Sequence, residues 1–181
     1  MSTTFLVNGY EIRSNCTIEA PLLTRAKMAD AVFQYCVMDR TSAVGADFTG
    51  ADMEGTRMRE SNLRDVRLVG AEISNAIFRT SSFHGANLAH ARAVGTEFQW
   101  CKARGANFSN AEMPLADFHG ADLTGANFRG TVLIGGSLHA AILDGADFTG
   151  ADLDGVDLSD ALWNEHTVWP EGFTPPVPEE D

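Results

Sequence analysis

Residues 116–130 read ADFHG ADLTG ANFRG: a small residue, a polar one and a large apolar one, then a polar residue and a glycine, three times over. The frame extends in both directions without insertion or deletion, from Cys16, Thr17 and Ile18 to Ala161, Leu162 and Trp163. A period of five is hostile to both regular elements. An α-helix advances about 100° per residue, so steps of five scatter the apolar positions and no face collects them. A straight strand alternates its side chains with period two, so an odd repeat sends successive apolar residues to opposite sides. The small and the large residue, two apart, point the same way on an extended step. The remaining residues must then turn the chain before the next pair. Step and turn repeated give a coil wound about its own axis, with both apolar positions inside.

Position by position the frame is strict. The first position holds Ala46, Ala51, Ala71, Ala86 and Ala106, elsewhere Thr41, Thr56, Ser61, Ser81, Val66 or Val156, and never a charge. The third holds Phe33, Phe48, Met58, Leu63, Phe78, Phe98, Phe108, Leu123, Phe128 and Phe148; only Ala43, Ala93 and Ala103 are undersized. Ala93 and Ala103 are expected to let Phe98 and Phe108 cross the interior. Glycine collects at the fifth position, as at Gly45, Gly50, Gly120 and Gly125, where a type II turn needs positive φ. The first coils instead carry Ala20, Arg25, Asp30, Tyr35 and Arg40 there. Left-handed geometry costs a non-glycine residue about 1–2 kcal/mol, so these corners are expected to use another turn type.

This pattern resembles the pentapeptide-repeat family, whose repeat is A(D/N)LXX. The resemblance implies an all-β fold, a right-handed quadrilateral β-helix with four repeats per coil, so that residues twenty apart stack. Thirty repeats then make a rod of roughly 36 Å at about 4.8 Å per coil. Three segments are expected. Residues 1–15 form an N-terminal capping hairpin, because Asn8 and Gly9 between two apolar runs are a strong hairpin signal and an open coil end exposes strand edges; a partner-binding arm is the alternative. Residues 16–165 form the β-helix. Residues 166–181 form a C-terminal aromatic cap and tail, Trp169 and Phe173 folding over the last coil after the frame ends at Trp163. The ending TVWPEGF resembles one common in the family, and the resemblance also implies a possible homodimer through this end.

Charge narrows the choice of partner. The formal net charge is −12, yet Lys and Arg stop at Arg129 and every charged residue beyond it is acidic. Nucleic-acid binders neutralise phosphates with basic residues, so a nucleic-acid ligand is not expected and a basic protein partner is. No apolar run follows a basic N-terminal segment, so no secretory signal is read. No apolar run approaches the roughly 18 residues of a membrane span, so no membrane role is expected and the chain reads as cytoplasmic. Cys16, Cys36 and Cys101 all occupy the small first position and read as buried hydrophobes. Cys16 and Cys36 fall one coil apart, which leaves disulfide or metal chemistry open, although no metal-ligand spacing supports it. His119 and His139, also twenty apart, with Asp117 and Asp157 nearby, could approach a metal. They would lie on a convex face, however, whereas ligand sites are concave. No metal, cofactor or catalytic constellation is expected, and the chain does not read as an enzyme.

The candidate partner-binding residues are therefore surface ones. They are the acidic group Asp144, Asp147, Asp152, Asp154, Asp157 and Asp160; the outward aromatic Trp100, a residue type that interfaces favour; and Arg57, Arg59 and Arg79, which stacking would bring into a ridge on a mixed-charge face. Asn87, Asn107 and Asn127 should form an amide ladder. The family's Qnr-like and MfpA-like members are acidic rods of DNA-like width that occupy the DNA-binding saddle of DNA gyrase and protect it from quinolones or related toxins. The resemblance thus implies a DNA mimic that binds DNA gyrase or another type II topoisomerase, using Asp144 to Asp160. The alternative is a scaffold or regulator that binds an unrelated protein through Trp100 and the arginine face.

Overall fold

The structure, a computed structural model, describes residues 5–7, 10–12, 14–20 and 22–176. Strands β1 (Phe5–Val7) and β2 (Tyr10–Ile12) pair antiparallel, Phe5 opposite Ile12 and Val7 opposite Tyr10. The turn residues Asn8 and Gly9 lie outside the described residues, as does the tail beyond residue 176. From Thr17 onward the chain coils, and each second-position residue bridges in parallel to its counterpart twenty residues on, from Thr17 and Val37 to Ile142 and Leu162. Four repeats make one coil. Both apolar positions point inward, as the period requires: Phe48, Phe98 and Phe148 are buried, as are Ala46, Ala106 and Ala146.

The backbone is satisfied between coils rather than within them. Third-position amides donate to the second-position carbonyl of the next coil, as from Leu23 N to Ser42 O at 2.7 Å, and second-position amides donate back, as from Val37 N to Cys16 O at 2.8 Å. Fifth-position amides also reach the next coil, as from Arg25 N to Val44 O at 2.9 Å. The corner itself is closed by a bond across three residues, as from Ala26 N to Leu23 O at 2.9 Å, which defines a β-turn. At Thr41 and Ser61 a buried hydroxyl ladder replaces that closure: Thr41 N donates to Ser61 Oγ and Ser61 N to Ser81 Oγ, at 3.0 and 2.9 Å.

Two expectations need correction. The corners that lack glycine do not change turn type: Arg25, Asp30, Tyr35 and Arg40 hold φ between 56° and 58°, and Trp100 holds 59°, against 63° at Gly45. Coil-to-coil hydrogen bonding fixes the geometry of each corner to that of its neighbour, and the local cost of about 1–2 kcal/mol per residue is absorbed. Nor does the repeat stop at Trp163. After one inserted residue it resumes: Val168 bridges Asp147, twenty-one residues away, and Thr167 is buried with Oγ1 donating to Leu143 O at 2.9 Å. Trp169 takes the large position and stacks on Phe148 at 5.1 Å. Trp163 meets Trp169 edge-on at 5.6 Å, and Phe173 stacks on its far side at 5.4 Å.

Aromatic columns fill opposite walls of the core. Phe78, Phe98 and Phe118 stack along one, and Phe108, Phe128, Phe148 and Trp169 along the other. Between the walls, Phe98 meets Phe108 edge-on at 6.0 Å, and the buried Ala93 and Ala103 occupy the remaining two sides of that section. The undersized residues are not what lets the rings cross, however: Phe118 meets Phe108 at 5.5 Å and Phe128 at 5.8 Å, also edge-on, where Met113 and Leu123 occupy the other sides.

Outside, stacking makes glycine essential at particular corners. A Cβ at Gly120 would lie 2.4 Å from the Trp100 ring, whereas Gly125, with nearly the same φ, faces open space. Gly125→Ala should cost only the left-handed penalty of about 1–2 kcal/mol, and Gly120→Ala distinctly more. In a Trp100→Ala background the two substitutions should become equal, a comparison that urea unfolding reads directly.

Candidate protein-binding surface

The fourth-position amide finds no backbone acceptor in the coil, and where the second-position side chain is a short acceptor it takes that amide. Asp47 Oδ1 accepts from Thr49 N and Thr49 Oγ1 at 3.1 and 2.6 Å. Asp147 does the same with Thr149 at 2.9 and 2.6 Å, and Asp157 with Ser159 at 2.9 and 2.6 Å. Asp152 accepts from Asp154 N at 3.2 Å. Asparagine serves equally well: Asn107 Oδ1 takes Ser109 N at 3.0 Å while its amide donates to Asn87, and Asn127 donates to Asn107, giving the expected ladder. A short side chain with an acceptor oxygen two residues before an amide is the requirement. Three of the candidate aspartates are thus built into the fold as well as exposed on it.

Cations are distributed to match. Arg57 and Arg59 both pair with Asp39, at 3.0 and 2.8 Å. Arg79 Nε lies 2.6 Å from Glu97 Oε2, in ion-pair range though not aligned as a hydrogen bond, and donates instead to Gln99 Oε1 at 3.1 Å. The three arginines therefore belong to a mixed-charge face, each tied to an acidic neighbour. Arg92 pairs with Glu72, Arg104 with Asp122, and last Arg129 with Asp147 at 2.9 Å. Past that pair the acidic residues stand without cations: among the described residues no Lys or Arg reaches Asp144, Asp152, Asp154, Asp157 or Asp160. Asp160 lies 3.7 Å from His139 Nδ1, a pairing that is ionic only when the imidazole is protonated.

Stacking by twenty assigns these residues to sides. One side carries Arg57, Arg59, Arg79, Trp100, His119, His139, Asp157 and Asp160, running from basic through aromatic to acidic. Asp144, Asp147 and the pair Asp152 and Asp154 fall on the other three, so the acidic end surrounds the rod. Trp100 is 56% exposed, seated over Gly120 with its ring edge-on to His119 at 4.9 Å. His119 in turn stacks on His139 at 4.8 Å. Asp117 Oδ1 is occupied by His119 N and His139 Nδ1 by Ser159 Oγ. No group of three His, Cys, Asp or Glu residues among those described is placed to hold a metal. An open groove of about 590 Å³ lies at the C-terminal end, between residues 150–156 and 170–173.

Asp47, Asp147 and Asp157 titrate low. Hydrogen bonds from the Ser159 hydroxyl and amide hold Asp157 below the usual carboxylate range. At Asp147 partial burial pushes upward, but the Thr149 bonds and Arg129 outweigh it. Asp47 is lowered in the same way by Thr49. Each folded value lies below its unfolded one, so the stabilisation is complete above about pH 4 and lost as pH falls through the folded values. Thermal melts should therefore be flat from neutrality to about pH 5 and fall below about pH 4. Asp47→Asn, which keeps the acceptor and removes the titration, should flatten part of that fall, whereas Asp47→Ala should destabilise at every pH by about 1 kcal/mol.

The family model for pentapeptide repeats matches in overlapping segments that together run from residue 22 to residue 160. No curated protein matches the chain. Among solved structures, a trypsin-treated variant of QnrB1, a plasmid-mediated fluoroquinolone resistance protein, is 24% identical, with 82% of this chain and 92% of that one covered and a TM-score of 0.48. HetL of Nostoc sp. strain PCC 7120, involved in heterocyst differentiation regulation, is 22% identical over 88% of this chain and 90% of its own, at a TM-score of 0.31. Rfr23 of Cyanothece 51142 is 23% identical over 86% and 89%, at 0.33. With its period, its inward small and large positions and its second-position turn acceptors matching that model over most of its length, the chain belongs to the pentapeptide-repeat family and has that family's right-handed quadrilateral β-helix.

Proposed function

We propose that this chain is a non-enzymatic protein-binding rod, acting in the cytoplasm, whose acidic end takes the place of DNA on a basic protein surface. The observation that carries the reading is the end of ion pairing at Arg129 and Asp147. Up to it, Arg57, Arg59, Arg67, Arg79, Arg92, Arg104 and Arg129 each pair with a carboxylate on a neighbouring coil. After it, carboxylates surround the rod and are free to meet an external cation, and such a field steers and orients a basic partner. The specific partner proposed is DNA gyrase or another type II topoisomerase, protected from its inhibitors by occupation of its DNA-binding surface. In this reading the β1 and β2 hairpin covers the N-terminal end, and Trp169 with Phe173 covers the C-terminal one. Two copies joined at that end would form one longer acidic rod.

Trp100 favours a second reading, a contact with an unrelated protein. A large aromatic held rigidly on a glycine seat and left open to solvent is an anchor of the type that interfaces use. Arg57, Arg59 and Arg79 contribute less there, because Asp39 and Glu97 already hold them.

The two separate in a supercoiling assay. The chain at micromolar concentration should alter gyrase supercoiling or relieve fluoroquinolone-stabilised cleavage. Joint replacement of Asp144, Asp152, Asp154 and Asp157 by Asn should weaken that effect by about tenfold or more, equivalent to ~1.4 kcal/mol, with the turn acceptors kept. Absence of any effect by the native chain overturns the gyrase reading. An effect abolished by Trp100→Ala and untouched by the Asn variant assigns the contact to Trp100.

A further inference from the structure

Cys16 and Cys36 occupy the first position of the same corner in the first two coils, and their sulfurs lie 2.9 Å apart. The register around them is fixed on both sides: Thr17 bridges Val37, Val37 N donates to Cys16 O at 2.8 Å, and Ile18 N donates to Val37 O at 2.9 Å. Stacked neighbours in such a coil are about 4.8 Å apart, inside the 4.4–6.8 Å window of Cα separations that a disulfide spans. The two thiols also differ in access. Cys36 is fully buried, whereas Cys16, in the outermost coil, is partly exposed. Cys101 supplies an internal contrast: it sits in the same position on the next wall, with Ser81 and Ala121 as its stacking neighbours, and its sulfur contacts Phe78 O at 3.0 Å.

We propose that Cys16 and Cys36 form a reversible disulfide clasp that locks the first coil of the rod onto the second. The oxidant is a low-molecular-weight disulfide. The thiolate of Cys16, the sulfur that solvent reaches, attacks one sulfur of the oxidant, expels one thiolate and leaves a mixed disulfide. Cys36 then loses its proton and attacks the Cys16 sulfur, expelling the second thiolate. Two protein thiols are oxidised to one disulfide and the oxidant is reduced to two thiols. Burial, and the hydrogen bond shared with Cys16, push the Cys36 thiol up to about 12, so closure is slow and follows the order in which Cys16 reacts first. The clasp matters at this place because an end coil is supported by a neighbour on one side only, and fraying of a solenoid begins there.

The test treats the folded full-length chain with excess oxidised glutathione, traps remaining thiols by alkylation in denaturant and maps the peptides. Of the three cysteines, Cys101 alone should be alkylated, Cys16 and Cys36 should appear in one linked species lighter by two hydrogens, and the product should run as a monomer at every protein concentration. Hydrogen exchange should slow in residues 16–36 of the oxidised form and return on reduction. Cys36→Ser should stop at the mixed disulfide on Cys16, its fold checked by circular dichroism against the native chain. Three alkylated cysteines, a stable mixed disulfide in the native chain, a dimer linked through Cys16, or exchange unchanged by oxidation would each overturn the proposal.

Discussion

The hydrogen bond from the fifth-position amide to the fourth-position carbonyl one coil on, repeated from Arg25 to Ala140, governs this molecule more than any side chain does. It obliges every corner to copy the corner beneath it, because a change of turn type at one level would strand donors and acceptors at two. That is why Arg25, Tyr35 and Trp100 hold the same left-handed φ as the glycines. The penalty is local and about 1–2 kcal/mol each, while the loss of register would propagate along the stack. Glycine is preferred at the corner and becomes necessary only where a neighbour's side chain lies across it, as Trp100 lies across Gly120.

The second position has two roles that must be read apart. For the fold, its duty is to offer an oxygen to the amide two residues on, and Asp147, Asn107 and Asn127 do this alike. For the surface, Asp and Asn differ by a full charge. The fold is therefore indifferent to the charge pattern, and a rod can acquire an acidic end without altering its backbone. The cation supply decides where the excess shows. Arginines reaching along the stack pair with Asp39, Asp47, Glu72, Glu97, Asp122 and Asp147, and among the described residues none lies beyond that last pair.

The coil, its period of twenty and the inward residues were legible in the sequence because a strict five-residue frame admits no other regular arrangement. That rings meet across the core was legible for the same reason, but the contact does not depend on Ala93 and Ala103, since Phe118 meets Phe108 and Phe128 beside Met113 and Leu123. The last repeat was not: a single inserted residue before Thr167 breaks the frame, and only the burial of Thr167 and the stack of Trp169 on Phe148 restore it. The mixed-charge face of Arg57, Arg59 and Arg79 was legible as well, but not its pairings, because stacking by twenty predicts which residues are neighbours in one column and not the diagonal reach by which Arg57 finds Asp39.

From the sequence alone came everything that depends on periodicity: which side chains are inside, which residues share a column, and where net charge accumulates along the rod. The tertiary structure decided what depends on contacts between columns and ends: the turn conformation at corners without glycine, the partner of each arginine, the seat of Trp100 and the approach of Cys16 to Cys36. The reason is physical. A repeat fixes translation along the axis, while a long side chain's choice among neighbours on adjacent coils is made only once the coils are stacked.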